Sequence, residues 1–436
     1  MKKKFLLTAA LSAAVLGLAS CNDGNAPTGG EPEKVTLNTM SMFGGTDPHA
    51  KAYEQFIKDF EAANSNVTVK DNSATSDEIW KTSVISSFYT GNEPDVLFYF
   101  TGNVAKPLVD NKKVVSINDI RKEYPDYAKN VSDSVIDPYA VTLKGFVEGM
   151  FVNTKLLKEN GLTTYADKDV WTWDDFMAVS DGLKAKKKTP VAFGSTDEPH
   201  YWIEHLILGC NGKEAYQAIP SEADFKDYEN KPAAKGWVDA LAMMKDLKDA
   251  GVFGQSGGDR AAALAKQEFL DGNAGMYLDG SWFAGQVGGD KSTITQNDVK
   301  MIPFPAIPTA KGGKNKVYMQ SGFTSGFYIT KKAWDNPAKR DLAVKFVQQM
   351  TSTAAIKEFC KVGGVPADSS VKLDGLTPLG NSMNTMAGRT QEATLPLGDA
   401  AKAQTFGTLV TGASYYLAGN KPEIAKVLAD FAKKQK

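Results

Sequence analysis

Histidine is scarce in this chain, which has only His49, His200 and His205 among its 436 residues. The nearest approach to a zinc-binding helix is His200-x-x-x-Glu204-His205, where the histidines stand five residues apart instead of four. A spacing of five places two side chains about 140° apart around a helix, so the rings would not share one face. We therefore predict no metal site, and few residues remain to serve as the base of a nucleophilic enzyme.

Cysteine is equally rare, and a total of three excludes a disulfide framework. Cys210 and Cys360 are far apart in the sequence. Such cysteines act more often as small buried hydrophobic side chains than as a bonded pair. We predict that both are unpaired.

The usual catalytic signatures are missing as well. The sequence around Ser325 is Gly-x-x-Ser-Gly rather than the Gly-x-Ser-x-Gly of a nucleophile elbow. Gly312-Gly313-Lys314 lacks the upstream glycine of a phosphate-binding loop. A pair of carboxylates for glycoside hydrolysis cannot be recognised in a sequence, because their separation is a three-dimensional quantity. A surface hydrolase acting on polysaccharide thus stays open as the alternative, and no cofactor is predicted.

Neither sign of charge is in excess, since 50 basic and 51 acidic residues give a net charge of −1. This balance argues against a nucleic-acid-binding surface. No apolar run after the N-terminal segment is long enough to span a bilayer. The length of 436 residues predicts at least two lobes, because single hydrophobic cores stop growing well below it.

The N-terminal segment has the pattern of a bacterial export signal. Three lysines, at 2–4, precede an apolar run from Phe5 to Leu18, and the run ends in Leu-Ala-Ser-Cys at Cys21. This ending resembles a lipobox, which implies cleavage before Cys21 and lipidation of its thiol. An ordinary signal peptide with an incidental cysteine is the alternative. We predict a lipoprotein signal peptide at 1–21, a flexible tether at 22–34, and a location on the outer face of the bacterial cytoplasmic membrane.

Strands and helices alternate after the tether. An alternating strand begins at Val35, an amphipathic helix follows near Tyr53, and an unbroken apolar strand runs from Val96 to Phe100. An apolar strand between helices indicates a parallel sheet buried on both faces, as in a doubly wound α/β lobe. The pattern restarts near Gly145, and Val299 to Phe304 is expected to return to the first lobe. The predicted fold class is therefore α/β with two doubly wound lobes.

The stretch from Phe269 to Phe283 predicts a helix end, a glycine turn, a short buried strand and a loop that presents Trp282. In open α/β sheets, ligands bind outside the carboxyl ends of strands, so this tryptophan is a candidate binding platform. The alternative is that Trp282 covers the edge of a core. Other aromatic residues stand beside carboxylates and glycines at predicted strand ends. Such a mixture suits sugars, which have apolar C–H faces and polar hydroxyl edges.

Several segments together resemble the extracellular solute-binding proteins of bacterial ABC sugar importers. Besides the lipobox and tether, they are 60–69 (FEAANSNVTV), 91–96 (GNEPDV), 171–176 (WTWDDF), 272–276 (GNAGM), 279–282 (DGSW) and 321–326 (SGFTSG). The resemblance covers the chain from about Val35 to its last helix. It implies two α/β lobes joined by a multi-strand hinge, with the ligand in the cleft between them. Lobe I would comprise 35–146 and 300–342, and lobe II would comprise 147–299 and 343–436.

The resemblance also implies roles for individual residues and for partners. Trp282, Tyr99 and Tyr201 would stack on sugar faces, and Asp279 and Glu198 would accept hydrogen bonds from hydroxyls. Phe43, Gly44 and Gly322 would line the wall of the first lobe. The chain departs from the maltose-binding branch at Gly102, where a sugar-binding carboxylate is often found, so a maltodextrin ligand is not implied. The expected partners are a sugar and the permease subunits of the importer, and the expected state is a membrane-tethered monomer.

Overall fold

The computed structural model describes residues 33–76, 78–254, 257–361, 363–401, 405–419 and 423–435. The predicted signal peptide, Cys21 and nearly all of the predicted tether lie outside these residues. No helix in the described ranges combines the length and the hydrophobicity needed to cross a membrane.

The described residues form eleven strands and nineteen α-helices. The strands are β1 (Val35–Met40), β2 (Val67–Asp71), β3 (Val96–Phe100), β4 (Lys144–Asn153), β5 (Thr189–Ala192), β6 (Ala274–Gly280), β7 (Val299–Ile302), β8 (Tyr318–Gly322), β9 (Ser325–Ile329), β10 (Val365–Pro366) and β11 (Glu392–Thr394). The helices are α1 (Ala50–Ala63), α2 (Glu78–Thr90), α3 (Lys106–Asp110), α4 (Ile117–Glu123), α5 (Thr154–Glu159), α6 (Thr163–Asp167), α7 (Trp173–Ala185), α8 (His200–Asn211), α9 (Lys213–Gln217), α10 (Glu222–Lys226), α11 (Pro232–Asp249), α12 (Ala262–Leu270), α13 (Lys331–Trp334), α14 (Pro337–Met350), α15 (Thr353–Cys360), α16 (Pro378–Asn384), α17 (Leu397–Ala400), α18 (Phe406–Leu417) and α19 (Ile424–Gln435).

The first lobe is built on a four-stranded sheet in the order β2-β1-β3-β9. Strands β1, β2 and β3 are parallel, and β9 adds to β3 in the antiparallel sense. Strand β3 is buried on both faces: Phe98 packs in one core beside Phe327, and Tyr99 packs in another beside Trp80. Burial on both faces therefore explains the unbroken apolar sequence of β3, as predicted.

The second lobe is built on a mixed sheet in the order β11-β8-β4-β6-β5. The long strand β4 lies at its centre and pairs antiparallel with β6, β7, β8 and β10. Glu148 of β4 stands opposite both Gly280 of β6 and Gln320 of β8, so the three residues share one face of the sheet. Helix α8 packs on the core of that face.

Several stretches of chain join the lobes. The chain that leads into β4 is bridged to the first sheet through Val141 and Phe327, and it pairs with the second sheet from Phe146 onward. Strands β8 and β9 follow each other within a few residues but belong to different sheets. A further connection leaves the first core after Ala367 and reaches the second lobe at Leu379. These connections form the multi-strand hinge.

The lobe boundaries differ from those expected from the sequence. Strand β7 does not return to the first lobe: it pairs with β4, and the chain stays in the second lobe as far as β8. The second half of α14 and all of α15, expected in the second lobe, pack in the first, where Phe346 meets Phe60 of α1 edge to face at 5.1 Å. An apolar strand or an amphipathic helix carries no mark of which of two similar cores it joins, so the sequence pattern placed these segments wrongly.

Side-chain hydrogen bonds shape the starts of two helices. Thr172 and Asp175 form a capping box at the start of α7. Asp47 accepts hydrogen bonds from the backbone and ring of His49, the residue before α1. Cys210 and Cys360 are both buried and unbonded, as predicted, and they lie in the cores of different lobes.

Candidate functional site

Three aromatic rings form a partly exposed cluster on the second lobe, and we call Phe146, Tyr201 and Trp282 the aromatic patch. The ring centroid of Trp282 lies 5.4 Å from that of Phe146 and 6.2 Å from that of Tyr201. The indole lies over Gly280, where an added Cβ would stand 2.2 Å from Trp282 Cη2. The absence of a side chain at Gly280 therefore lets the indole lie flat at the end of β6.

The aromatic patch lies beside the hinge. Phe146 pairs with Gly322, the last residue of β8, and the next segment of chain contacts the first lobe through a hydrogen bond from Thr101 N to Thr324 O of 2.8 Å. Burial raises the pKa of Asp399, at α17 of the second lobe, to about 6, while Lys81 of the first lobe and the Thr324 hydroxyl favour its ionised form. The two lobes thus approach each other next to these rings.

A lysine between two carboxylates adjoins the patch, and we call Glu198, Lys266 and Asp279 the Lys266 triad. Lys266 Nζ lies 3.1 Å from Glu198 Oε2 and 3.9 Å from Asp279 Oδ2. Burial opposes the charge of Lys266, yet Asp279 and Glu198 raise its pKa. Burial raises the pKa of Asp279 to about 6, against the stabilising charge of Lys266. Burial and the charges of Asp279 and Glu198 also raise the pKa of Tyr201, so the triad and the patch are electrostatic neighbours.

A layer of buried polar side chains lies behind the patch, between β4, β8 and α8. Burial raises the pKa of Glu204 to about 8, and Glu204 Oε1 accepts a hydrogen bond from Gly398 N at 2.8 Å. Burial and the neighbouring Glu204 raise the pKa of Glu148 well above its ordinary value. Burial lowers the pKa of His205 to about 4. At neutral pH His205 is therefore uncharged and Glu204 is mostly protonated, so the Glu204 carboxyl can donate a hydrogen bond, and burial disfavours the charged form of Glu148 as well.

Several polar atoms in this layer lack a hydrogen-bond partner among the described residues. They are Glu148 Oε2, His205 Nε2, Tyr216 Oη and Gln320 Oε1. Buried polar groups are normally satisfied, by protein or by ordered water, so this layer has unused hydrogen-bonding capacity. Glu204 and His205 of the zinc-like pattern thus belong to a buried layer. The spacing of Tyr201, Glu204 and His205 on one helix could have indicated that layer, because residues three or four apart share a face.

The structure brings four of the predicted site residues together. Tyr201 and Trp282 are partly exposed in the aromatic patch, and the Glu198 side chain, 33% exposed, lies beside them. Asp279 lies close by but is 0% exposed, and its Oδ1 accepts a hydrogen bond from Gly280 N at 2.7 Å. This geometry does not support the predicted contact of Asp279 with a sugar hydroxyl. Phe146 and Lys266 were not predicted.

The remaining predicted residues lie in the first lobe or at the hinge. Tyr99 is 1% exposed, and its hydroxyl donates to Lys81 O at 2.9 Å, so its ring does not face the cleft. Phe43 is buried against Phe98 and other rings of the first core. Gly44 is needed for close approach to the backbone of Ser73. The packing of these three residues does not support the contacts with ligand that were predicted for them.

Gly322, predicted to line the wall of the first lobe, belongs instead to the sheet of the second lobe. It ends β8 at the hinge, opposite Phe146 of the patch, and an added Cβ would stand 2.3 Å from Leu395 Cδ2. The described residues include no group of three or more histidine, cysteine, aspartate or glutamate side chains that could hold a metal ion.

Comparison with known proteins places this chain in a family. The family model described as "Bacterial extracellular solute-binding protein" matches residues 55–378. The chain belongs to this family. The multiple sugar-binding protein of Streptococcus mutans serotype c is 28% identical over 378 residues, which cover 83% of this chain and 82% of that protein.

Solved structures show the same two-lobed fold. A chitin oligosaccharide binding protein superposes with a TM-score of 0.75 at 23% identity, covering 92% of this chain and 98% of that one. The solute-binding protein RafE in complex with raffinose superposes with a TM-score of 0.72 at 19% identity, covering 92% of this chain and 100% of that one. At these identities the likeness is one of fold, and the predicted type II periplasmic-binding-protein architecture is confirmed.

Proposed function

We propose that this protein is the substrate-binding component of an ABC importer and that it captures a carbohydrate, with an oligosaccharide as the expected class, between its lobes. The observation that carries the proposal is the aromatic patch at the hinge, with the Lys266 triad beside it. The proposal agrees with the family of the chain and with the name of the Streptococcus mutans relative.

The chemistry of the site suits a sugar better than an apolar or a strongly charged solute. The faces of Trp282 and Tyr201 offer surfaces for the C–H face of a pyranose ring. Glu198 offers an acceptor for hydroxyl groups and Lys266 offers a donor. A ligand that touches both lobes favours the closed arrangement, because its contacts with the first lobe are lost when the hinge opens.

We assign ligand contact to Trp282, Tyr201, Glu198 and Phe146, with Gly322 at the cleft wall. The N-terminal sequence supports an extracytoplasmic protein anchored through a lipid on Cys21, which delivers its ligand to membrane permease subunits as a monomer. Only the sequence of that segment supports the anchor, since Cys21 lies outside the described residues.

Hydrolysis of polysaccharide is the competing function. The raised pKa values of Glu148 and Glu204 are of the kind that a glycosidase acid requires. These side chains are only 3% and 1% exposed, however, and no substrate bond can reach them in this arrangement. The geometry therefore favours binding.

The first experiment is a thermal-shift screen of the purified chain against raffinose, chitotriose, maltotriose and xylotriose. A ligand present at about 100 times its Kd stabilises the folded state by about 2.7 kcal/mol, which raises the midpoint by several degrees. We expect at least one sugar to raise the midpoint and to be recovered intact. Release of shorter sugars would support the hydrolase instead. The absence of any shift across the panel would contradict the proposed function.

A further inference from the structure

Lys266 occupies a position that no family motif or sequence pattern pointed to. It lies on α12, the helix before β6, and its side chain is 25% exposed at the edge of the aromatic patch. Of the two carboxylates around it, Glu198 is partly exposed and Asp279 is completely buried. The ammonium group of Lys266 therefore lies between the buried Asp279 and the partly exposed Glu198.

The hydrogen-bonding capacity of Lys266 is not exhausted by the triad. An ammonium group has three N–H donors. Glu198 Oε2 at 3.1 Å forms an ion pair with Nζ, and Asp279 Oδ2 at 3.9 Å lies beyond hydrogen-bond distance. Because the Lys266 side chain is partly exposed, an N–H donor is available to a ligand atom in the cleft.

The charges around Lys266 also restrict the kind of ligand. Its positive charge is matched by the two triad carboxylates, and Asp197 adds a further negative charge nearby. An anionic sugar would therefore meet a site whose local net charge is negative, and like charges at short range are strongly disfavoured. A neutral sugar can accept the N–H through a hydroxyl or ring oxygen without that cost.

We infer that Lys266 is a ligand-recognition residue of the cleft, which donates a hydrogen bond to an oxygen of an uncharged glycan while Glu198 and the buried Asp279 hold its ammonium group in place. Asp279 is then a positioning residue that acts through Lys266. This inference rests on the proposed function and names the ligand class and a further contact of the same site.

The inference predicts a dependence of affinity on pH. The titratable groups near Asp279 are Lys266 on α12, Glu198 before α8, Tyr201 on α8, Tyr277 on β6 and Glu148 on β4, and Asp197 acts on Lys266 and Tyr277. Burial raises the pKa of Asp279 to about 6. Above this pH the ionised carboxylate holds Lys266. As pH falls through about 6, Asp279 takes up a proton, the ammonium loses one of its two anchors, and affinity falls.

The test uses the sugar with the largest shift in the panel and measures Kd by calorimetry between pH 5 and 7.5. We expect K266M to weaken binding at least tenfold at pH 7.5 and K266R to recover most of that loss. We expect D279N to bind more weakly than the wild type and to lose the acid-dependent decline. D399N is the matched control, because burial raises the pKa of Asp399 to about 6 as well and Asp399 lies outside the triad. The affinity of D399N should still fall at acid pH.

Two further experiments, with a double variant and with an acidic sugar, can also contradict the inference. K266M leaves Asp279 buried without its partner and can lower stability, so the double variant K266M/D279N removes both charges and should still bind weakly. Digalacturonate, an acidic disaccharide, should give no thermal shift with the wild type. If the wild type binds a panel sugar and K266M or the double variant binds equally well, the Lys266 inference is wrong while the proposed function stands. Binding of digalacturonate would contradict the ligand class, and a wild type that binds no panel sugar would refute both.

Discussion

The substitution Gly280→Ala tests the aromatic patch without removing any ring. A Cβ at Gly280 would stand 2.2 to 2.4 Å from three carbons of the Trp282 six-membered ring. Ordinary contacts of a Cβ begin at 3.4 Å, so the indole must move by more than an ångström. The backbone at Gly280 has φ of −87° and ψ of 166°, which alanine adopts without strain. The fold should therefore tolerate the change while the ring is pushed toward the cleft.

The expected loss of affinity follows from the area of one stacking contact. One face of an aromatic side chain is about 75 Å², half of the low end of the ~150–250 Å² that such residues bury. At about 25 cal/mol per Å², a stacked sugar face contributes roughly 2 kcal/mol, which corresponds to about a 30-fold change in Kd. We expect Gly280→Ala to weaken binding of the panel sugar by 10- to 30-fold, because a displaced ring cannot offer the same face.

Calorimetric titration measures this loss, and a thermal melt checks the fold. Gly388→Ala is the matched control, since an added Cβ there meets nothing within 4 Å. It should bind as the wild type does. Wild-type affinity in Gly280→Ala, with an unchanged melting midpoint, would show that the orientation of Trp282 is irrelevant to binding and would refute the assignment of the patch.

Two further predictions concern groups behind and opposite the patch. Because burial raises the pKa of Glu204 from 4.5 to about 8, its contribution to stability is present below pH 4.5 and is lost as pH rises through 8. Chemical denaturation between pH 6.5 and 8.5 should show the free energy of unfolding falling by up to about 1.4 kcal/mol per pH unit. Glu204→Gln should flatten this slope. An equal slope in both proteins would contradict the raised pKa of Glu204. Tyr99→Phe removes the hydroxyl that donates to Lys81 O, so it should lower the free energy of unfolding by about 1 kcal/mol and leave sugar affinity unchanged. A large loss of affinity would return Tyr99 to the ligand site.

The sequence pattern was sufficient for most of the elements and for the parallel strands of the first sheet, but it did not predict the antiparallel pairing of β4 in the second. Strand β3 could be predicted as a buried parallel strand, because an apolar run without alternation needs cover on both faces. The capping box at Thr172 could be predicted because it depends only on residues three apart. Such features depend only on residues close together in the sequence, so the sequence alone is enough to predict them.

The lobe boundaries and part of the site depend on contacts between segments that are distant in the sequence, so they could not be predicted. Tyr99 was predicted to contact the ligand, but its ring packs in a core on one face of β3 while Phe98 packs in a core on the other. The Lys266 triad joins residues from three separate segments, and the pairing of Glu148 with Gln320 depends on strand register. No short sequence pattern indicates such contacts. Trp282 was the exception, because a glycine turn followed by a large aromatic at a strand end already marks an exposed position.

The most direct test of sugar binding at the aromatic patch is a titration followed by tryptophan emission. Of the seven tryptophans, six are buried in the cores and Trp282 alone is partly exposed. We predict that the panel sugar causes a saturable change in the emission of the wild type, and that Trp282→Phe abolishes this change while calorimetry still detects weaker binding. An undiminished emission change in Trp282→Phe would place the sugar elsewhere and contradict the account.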